Sequence, residues 1–229
     1  MYYGYESMFT YLLFGLGLLI TIIAQVYVNS SYNKYRKVST KSNLSGFEVA
    51  RKILDKNGLK DIHVVEIKGN LTDHYDPKRK VVRLSTEIFN GTSIAANSVA
   101  AHEVGHAIQD KEGYTFMRVR SSLVPVVNFC SKFGYVVLFL GLVASALNLV
   151  YFGIILLAST LLFQLVTLPV EFNASARALE NLKKEGVLVA DEEEQSKIML
   201  KAAAFTYVAS LVTTLLEILR LIIIAKDRD

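Results

Sequence analysis

The chain has a single cysteine, Cys130, in 229 residues. One thiol excludes an internal disulfide and a cysteine-built zinc finger, and its setting in an apolar stretch reads as a small buried hydrophobe. Tryptophan is absent, and there are four histidines. No internal repeat or low-complexity tract is visible, which leaves little support for a transporter built from symmetric halves. Charge is missing over long distances: residues 9–28 and 133–170 contain no Asp, Glu, Lys or Arg.

Those uncharged runs dominate what is present. Hydrophobic residues make up 52% of the chain and the mean hydropathy is +0.35, high for a soluble protein. Residues 9–28 match the length that a hydrocarbon core of about 30 Å requires. No Lys or Arg precedes them and no small-residue cleavage site follows, so an uncleaved anchor is expected rather than a removable signal peptide. Residues 133–170 are too long for one crossing and predict two helices with a tight turn near Ala146-Leu147-Asn148, Asn148 acting as the breaker. A fourth run, residues 202–225, is interrupted by Glu217 and Arg220, which are three apart and can pair on one helix face. Lys34, Arg36, Lys37 and Lys41 follow the first run; Arg118, Arg120 and Lys132 precede the hairpin, and Lys183 and Lys184 follow it. The positive-inside rule places these flanks in the cytoplasm and the N-terminus and hairpin turn outside. The basic residues follow the membrane flanks, which this rule already explains, so nucleic-acid binding has little support.

Residues 39–120 read as a small α+β region. Ser45-Gly46-Phe47-Glu48 is a capping box, and Asn57-Gly58 ends the helix it starts. Residues 63–67 and 80–85 read as strands, with a turn at Tyr75-Asp76-Pro77-Lys78 and His74 in the loop between them. A helix then starts near Thr92-Ser93 and runs to about Gln109.

That helix contains His102-Glu103-Val104-Gly105-His106. Two histidines four apart lie one above the other on a helix face, so both imidazoles can reach one Zn²⁺ at about 2.0–2.1 Å. Glu103, beside the first histidine, is the candidate general base. The neighbours Ala100, Ala101, Val104, Gly105 and Ala107 are small or apolar, unlike a solvated surface helix. Catalytic zinc takes three protein ligands and leaves one position open. His63 and His74 are candidates for the third, but each reads equally well as a surface residue. Glu171 is the better candidate, because a carboxylate directly after an apolar helix is costly to bury unless it is paired or binds a cation.

Four segments in order, Leu71-Thr72-Asp73-His74-Tyr75-Asp76-Pro77, Val82-Arg83-Leu84-Ser85, Ala100 to Gln109, and Val170-Glu171-Phe172-Asn173-Ala174-Ser175, resemble the YugP-like neutral zinc metallopeptidase family of bacterial membranes. The likeness spans nearly the whole chain. That family is similar in turn to the HtpX-type membrane proteases and the CAAX prenyl endopeptidases, which are gluzincins. The resemblance implies His102, His106 and Glu171 as ligands of one Zn²⁺ per chain and Glu103 as the catalytic base. Those relatives often carry Asp four residues after the ligand glutamate, orienting a histidine; here that position is Ser175, an uncharged hydroxyl.

The expected fold is therefore a mainly α membrane protein of about four transmembrane helices with a small α+β, zincin-like cytoplasmic domain. Its divisions are an anchor over residues 1–30, a catalytic region over 31–122, a transmembrane hairpin over 123–170, a cytoplasmic helix over 171–200 with the third ligand, and a membrane helix over 201–229. The expected activity is that of a zinc metalloendopeptidase in the bacterial plasma membrane, active on the cytoplasmic side against peptide or membrane-protein substrates. Membrane partner proteins or a homo-oligomer fit the same picture. Arg177 and Tyr207 are candidates to stabilise the oxyanion. The strand Val81, Val82, Arg83, Leu84 and Ser85 is a candidate open edge to which an extended substrate adds. The alternative is a non-catalytic membrane scaffold or regulator whose zinc is structural or absent.

Overall fold

The structure, a computed structural model, describes residues 2–227, with side chains from residue 8 onward. The elements run in the order α1 (Tyr2–Tyr35), α2 (Gly46–Lys56), β1 (His63–Ile67), β2 (His74–Asp76), β3 (Val81–Ser85), α3 (Thr86–Asn90), α4 (Ile94–Lys111), α5 (Thr115–Val143), α6 (Leu147–Lys184) and α7 (Ala190–Lys226). The protein is mainly helical, with four helices long and apolar enough to cross a membrane: Met8–Tyr35, Thr115–Val143, Leu147–Lys184 and Ala190–Lys226. The chain forms two compact units, one from residues 1–25, 119–168 and 206–229, the other from 26–118 and 169–205.

In the first unit the apolar side chains face outward. Leu12, Phe139 and Ile155 are 60, 65 and 66% exposed, a surface suited to lipid rather than water. Helices α5 and α6 form the expected hairpin, but Asn148 is not its breaker. It lies in the first turn of α6, and the left-handed residue of the connection is Ser145, at φ 52°. The two helices approach closely at glycines: a Cβ on Gly141 would lie 2.7 Å from the Val150 nitrogen, and one on Gly153 would lie 2.8 Å from the Leu138 nitrogen. Small residues of this kind let helix backbones pack where no hydrophobic driving force separates lipid from protein. Leu138, Val150, Ile154, Leu157, Ile218 and Leu221 share a core with α7. Gln164 Nε2 donates to Ser210 Oγ and Thr214 Oγ1, both at 2.9 Å. Arg220 pairs with Glu217 at 2.6 Å, and its guanidinium lies 5.2 Å from the centre of the Phe14 ring. Cys130 is a free, half-buried thiol in α5 rather than a fully buried one.

The second unit is built around α4. Ser45 and Glu48 form both arms of the capping box on α2. The helix ends at Asn57, and Gly58 takes the positive φ of 68° that glycine tolerates. Val49, Ile53 and Leu54 of α2 pack with Val82 and Leu84 of β3, Ile88 of α3 and Ala100, Val104 and Ile108 of α4 in one core. The segment before α2 is pinned to the start of α4, where Ile94 N–H donates to the Val38 carbonyl at 2.8 Å.

The sheet corrects two expectations. His74 is not in a loop: it opens β2, and the turn lies two residues later than expected, over residues 77–80, where the Asp76 carboxylate accepts from the Lys78 and Arg79 N–H groups. The strand order is β1-β3-β2, with β1 parallel and β2 antiparallel to β3. β3 is therefore central, not an edge. Val81, Val82, Arg83, Leu84 and Ser85 pair with β1 along their whole length, and Val81 to Arg83 pair with β2 as well. Ser85 N–H donates to Asp73 Oδ1 at 2.7 Å. No substrate strand can add to a ladder already satisfied on both sides. The sequence pattern concealed this because β2 has three residues, too few to show alternation.

Leu84 is fully buried in this core. Leu84→Ala should cost about 2–5 kcal/mol, read as a lower thermal-unfolding midpoint in detergent. An unchanged midpoint would remove Leu84 from the core that supports α4.

Candidate metal centre

Helix α4 begins at an N-cap, Ser93, whose hydroxyl accepts from Ala96 N–H at 3.1 Å. Alanine-rich and tightly surrounded, it is buried on nearly every side, including Ala100, Ala101, Glu103, Val104, Gly105 and His106. α2, α3 and β3 pack against it in the core, and α6 lies against it at Gly105. A Cβ on Gly105 would lie 2.6 Å from the Ala174 carbonyl oxygen, so the two backbones touch where glycine leaves room. That contact sets Glu171, three residues before Ala174, beside the turn that joins His102 to His106.

The result is a compact donor set. His102 Nε2 lies 3.2 Å from Glu171 Oε2, and His106 Nε2 lies 3.7 Å from the same oxygen. One ligand atom from each of His102, His106 and Glu171 falls within 4.8 Å of the other two. Glu171 is 2% exposed. A carboxylate that far from water requires compensation by a cation or by hydrogen-bond donors. Two imidazole nitrogens and one carboxylate oxygen converging in this way are the donor set of a three-ligand zinc site, so the residues present fit the ion. His63 and His74 are exposed and lie outside the cluster; His74 Nδ1 faces the Thr72 carbonyl at 2.8 Å.

Glu103 sits in the same pocket but offers no atom to the donor set. Burial pushes its carboxyl up to about 7, against the opposing pull of His102, while the negative charges of Glu171 and Asp73 add to the rise. The main-chain N–H of Tyr75, on β2, donates to it. β2 is in turn tied to the end of α4, because Tyr75 Oη and Lys80 Nζ both donate to Asp110 Oδ2 at 2.7 Å.

The outer nitrogens of both histidines are also engaged. Ser175 Oγ lies 3.2 Å from His102 Nδ1, so the hydroxyl at this position does contact the imidazole. Gln109, fully buried, was not singled out by sequence reasoning. Its Oε1 lies 3.0 Å from His106 Nδ1, and its Nε2 donates to the Val170 carbonyl at 2.8 Å and to Asn173 Oδ1 at 3.0 Å. The signal available was its place three residues after His106, on the same helix face. Arg177 points elsewhere than the donor set, bonding Asn173 Oδ1 at 2.7 Å and Glu112 Oε2 at 2.6 Å. Tyr207 belongs to the first unit.

Gly105→Ala would force the Ala174 carbonyl back. Zinc affinity should fall about 10-fold or more, measured by competition with a chromogenic chelator, as expected when the support of a ligand is displaced. Wild-type affinity in a folded variant would show that the α4–α6 contact does not hold the ligands together.

Comparison with known proteins agrees with this chemistry. A family model described as "Putative neutral zinc metallopeptidase" matches residues 10–226. The chain is 48% identical over 201 residues to "Putative membrane protease YugP" of Bacillus subtilis (strain 168), covering 88% of this chain and 89% of that protein. No solved structure matches. With a match over almost its full length and a relative sharing nearly half of the aligned residues, the chain belongs to the family described as "Putative neutral zinc metallopeptidase".

Proposed function

We propose that this protein is a membrane-embedded zinc metalloendopeptidase of the gluzincin type, with His102, His106 and Glu171 holding one zinc ion and Glu103 as general base. The observation that carries the reading is the burial of Glu171 against two imidazole nitrogens contributed by another helix. When bound, zinc supplies Lewis acidity, which acidifies water and polarises a peptide carbonyl. Glu103 takes the proton of the attacking water on its carboxylate and passes it to the departing amine. A carboxyl raised toward neutral pH is matched to both transfers. The Tyr75 N–H holds that carboxylate in place during the exchange. Three protein ligands favour catalysis over a structural ion, because closed structural sites use four.

The proposed setting is the bacterial plasma membrane. The Lys and Arg residues that flank the apolar helices support, by the positive-inside rule, a zincin-like region and site on the cytoplasmic side with the N-terminus outside. The substrates are peptides or membrane proteins cleaved at that face.

Glu103→Gln should retain zinc and lose peptidase activity by about 10²–10⁴-fold. His102→Ala should lose the metal itself. Elemental analysis together with cleavage of an unfolded membrane substrate in detergent reads both. A Glu103→Gln protein that cleaves at the wild-type rate, or a zinc-loaded wild type inert toward every peptide tested, would favour a non-catalytic scaffold.

A further inference from the structure

The outer nitrogen of His106 is tied into a chain of side chains that runs from the buried Gln109 to the half-buried Asn173 and Arg177, and that chain has a direction. It begins at Arg177, whose guanidinium carries N–H donors and no acceptor. Arg177 Nε donates to Asn173 Oδ1 at 2.7 Å, while its terminal nitrogen is held by Glu112 Oε2 at 2.6 Å. The Asn173 atom that faces Arg177 must therefore be its oxygen. Gln109 approaches that same oxygen at 3.0 Å and the Val170 carbonyl at 2.8 Å. Two acceptors at one end of the Gln109 amide require its NH₂ there, which turns the amide oxygen toward His106 Nδ1, 3.0 Å away. An amide oxygen accepts and cannot donate, so the proton of the neutral imidazole must sit on Nδ1. The lone pair is left on Nε2, the nitrogen that faces Glu171 Oε2.

His102 has no such constraint. Its Nδ1 meets the Ser175 hydroxyl, which donates and accepts equally well and fits either tautomer. The same Gln109 amide also holds the main-chain carbonyl of Val170, the residue next to Glu171, so one side chain braces ligands from both helices.

We propose that Gln109, its amide fixed by the Val170 carbonyl and by an Asn173 oxygen that Arg177 orients, sets the tautomer of His106 and so presents Nε2 to the metal. Arg177 is then a positioning residue for the zinc site, with no part in stabilising an oxyanion. The inference rests on the zinc reading of the donor set, but the tautomer is a property of the metal-free protein and is tested separately.

The experiment compares wild type with Arg177→Met, Arg177→Lys and Asn173→Asp, each confirmed as folded by its thermal midpoint. Imidazole ¹⁵N shifts of His106 are recorded without metal, and zinc affinity is measured by chelator competition. Wild type should show one tautomer, protonated at Nδ1. Arg177→Met should show a mixture and bind zinc about 10-fold more weakly. Arg177→Lys keeps a donor, and Asn173→Asp keeps an acceptor, so both should retain the Nδ1 proton. A wild-type His106 protonated at Nε2, or an Arg177→Met protein with unchanged tautomer and affinity, would overturn the proposal. A wild type with the Nδ1 proton but no affinity for zinc would leave the relay standing and remove the metal reading beneath it.

Discussion

A buried carboxylate is the constraint from which the site follows. Glu171 is 2% exposed on a long apolar helix, and moving an isolated charge of this kind out of water costs on the order of several kcal/mol. Its compensation comes from α4, whose two histidines turn their Nε2 atoms to the same oxygen. Neither helix forms the site by itself. The chemistry exists because the two backbones are close enough at Gly105 and Ala174 for three side chains to converge.

Around that point the protein separates the roles of its acids by environment. Glu171 faces the imidazoles of His102 and His106 and is the proposed ligand. Glu103, one residue along from His102, is buried near negative charges, so its proton affinity rises toward neutrality against the opposing pull of His102 and of the Tyr75 N–H. Two nearby carboxyls thus sit in different surroundings, the condition under which one can bind metal and the other move protons. The outer contacts are equally divided. Ser175 gives His102 a permissive partner, while the Gln109–Asn173–Arg177 chain gives His106 a directional one.

Much of this was legible in the sequence. Uncharged runs of membrane length marked the apolar helices, Ser45 and Glu48 marked the start of α2, and the spacing of His102 and His106 placed both on one face. Glu171 stood out as an acid where none belongs without a partner. What the sequence hid was short or long-range. β2 is too brief to alternate, so β3 passed for an edge strand when it is the sheet's centre. The connection between α5 and α6 turns at Ser145, not at Asn148, the residue with the stronger turn propensity, which lies in the first turn of α6. Gln109 carried a local clue in its spacing, yet its partners at Val170 and Asn173 lie more than sixty positions along the chain. Arg177, a candidate from the sequence to stabilise an oxyanion, is bonded to Asn173 and Glu112, the second of which lies 65 positions away.

The central claim is that a single zinc ion is held by two histidines of α4 and one glutamate of α6, with a position left for water. Zinc-edge X-ray absorption on the purified, metal-loaded protein tests it most directly. The account predicts a first shell of nitrogen and oxygen only, at about 2.0–2.2 Å, with imidazole outer-shell scattering from two histidines that drops by half in His106→Ala. A shell containing sulfur, a scattering pattern from three or more imidazoles, or a spectrum unchanged by loss of His106 would contradict it.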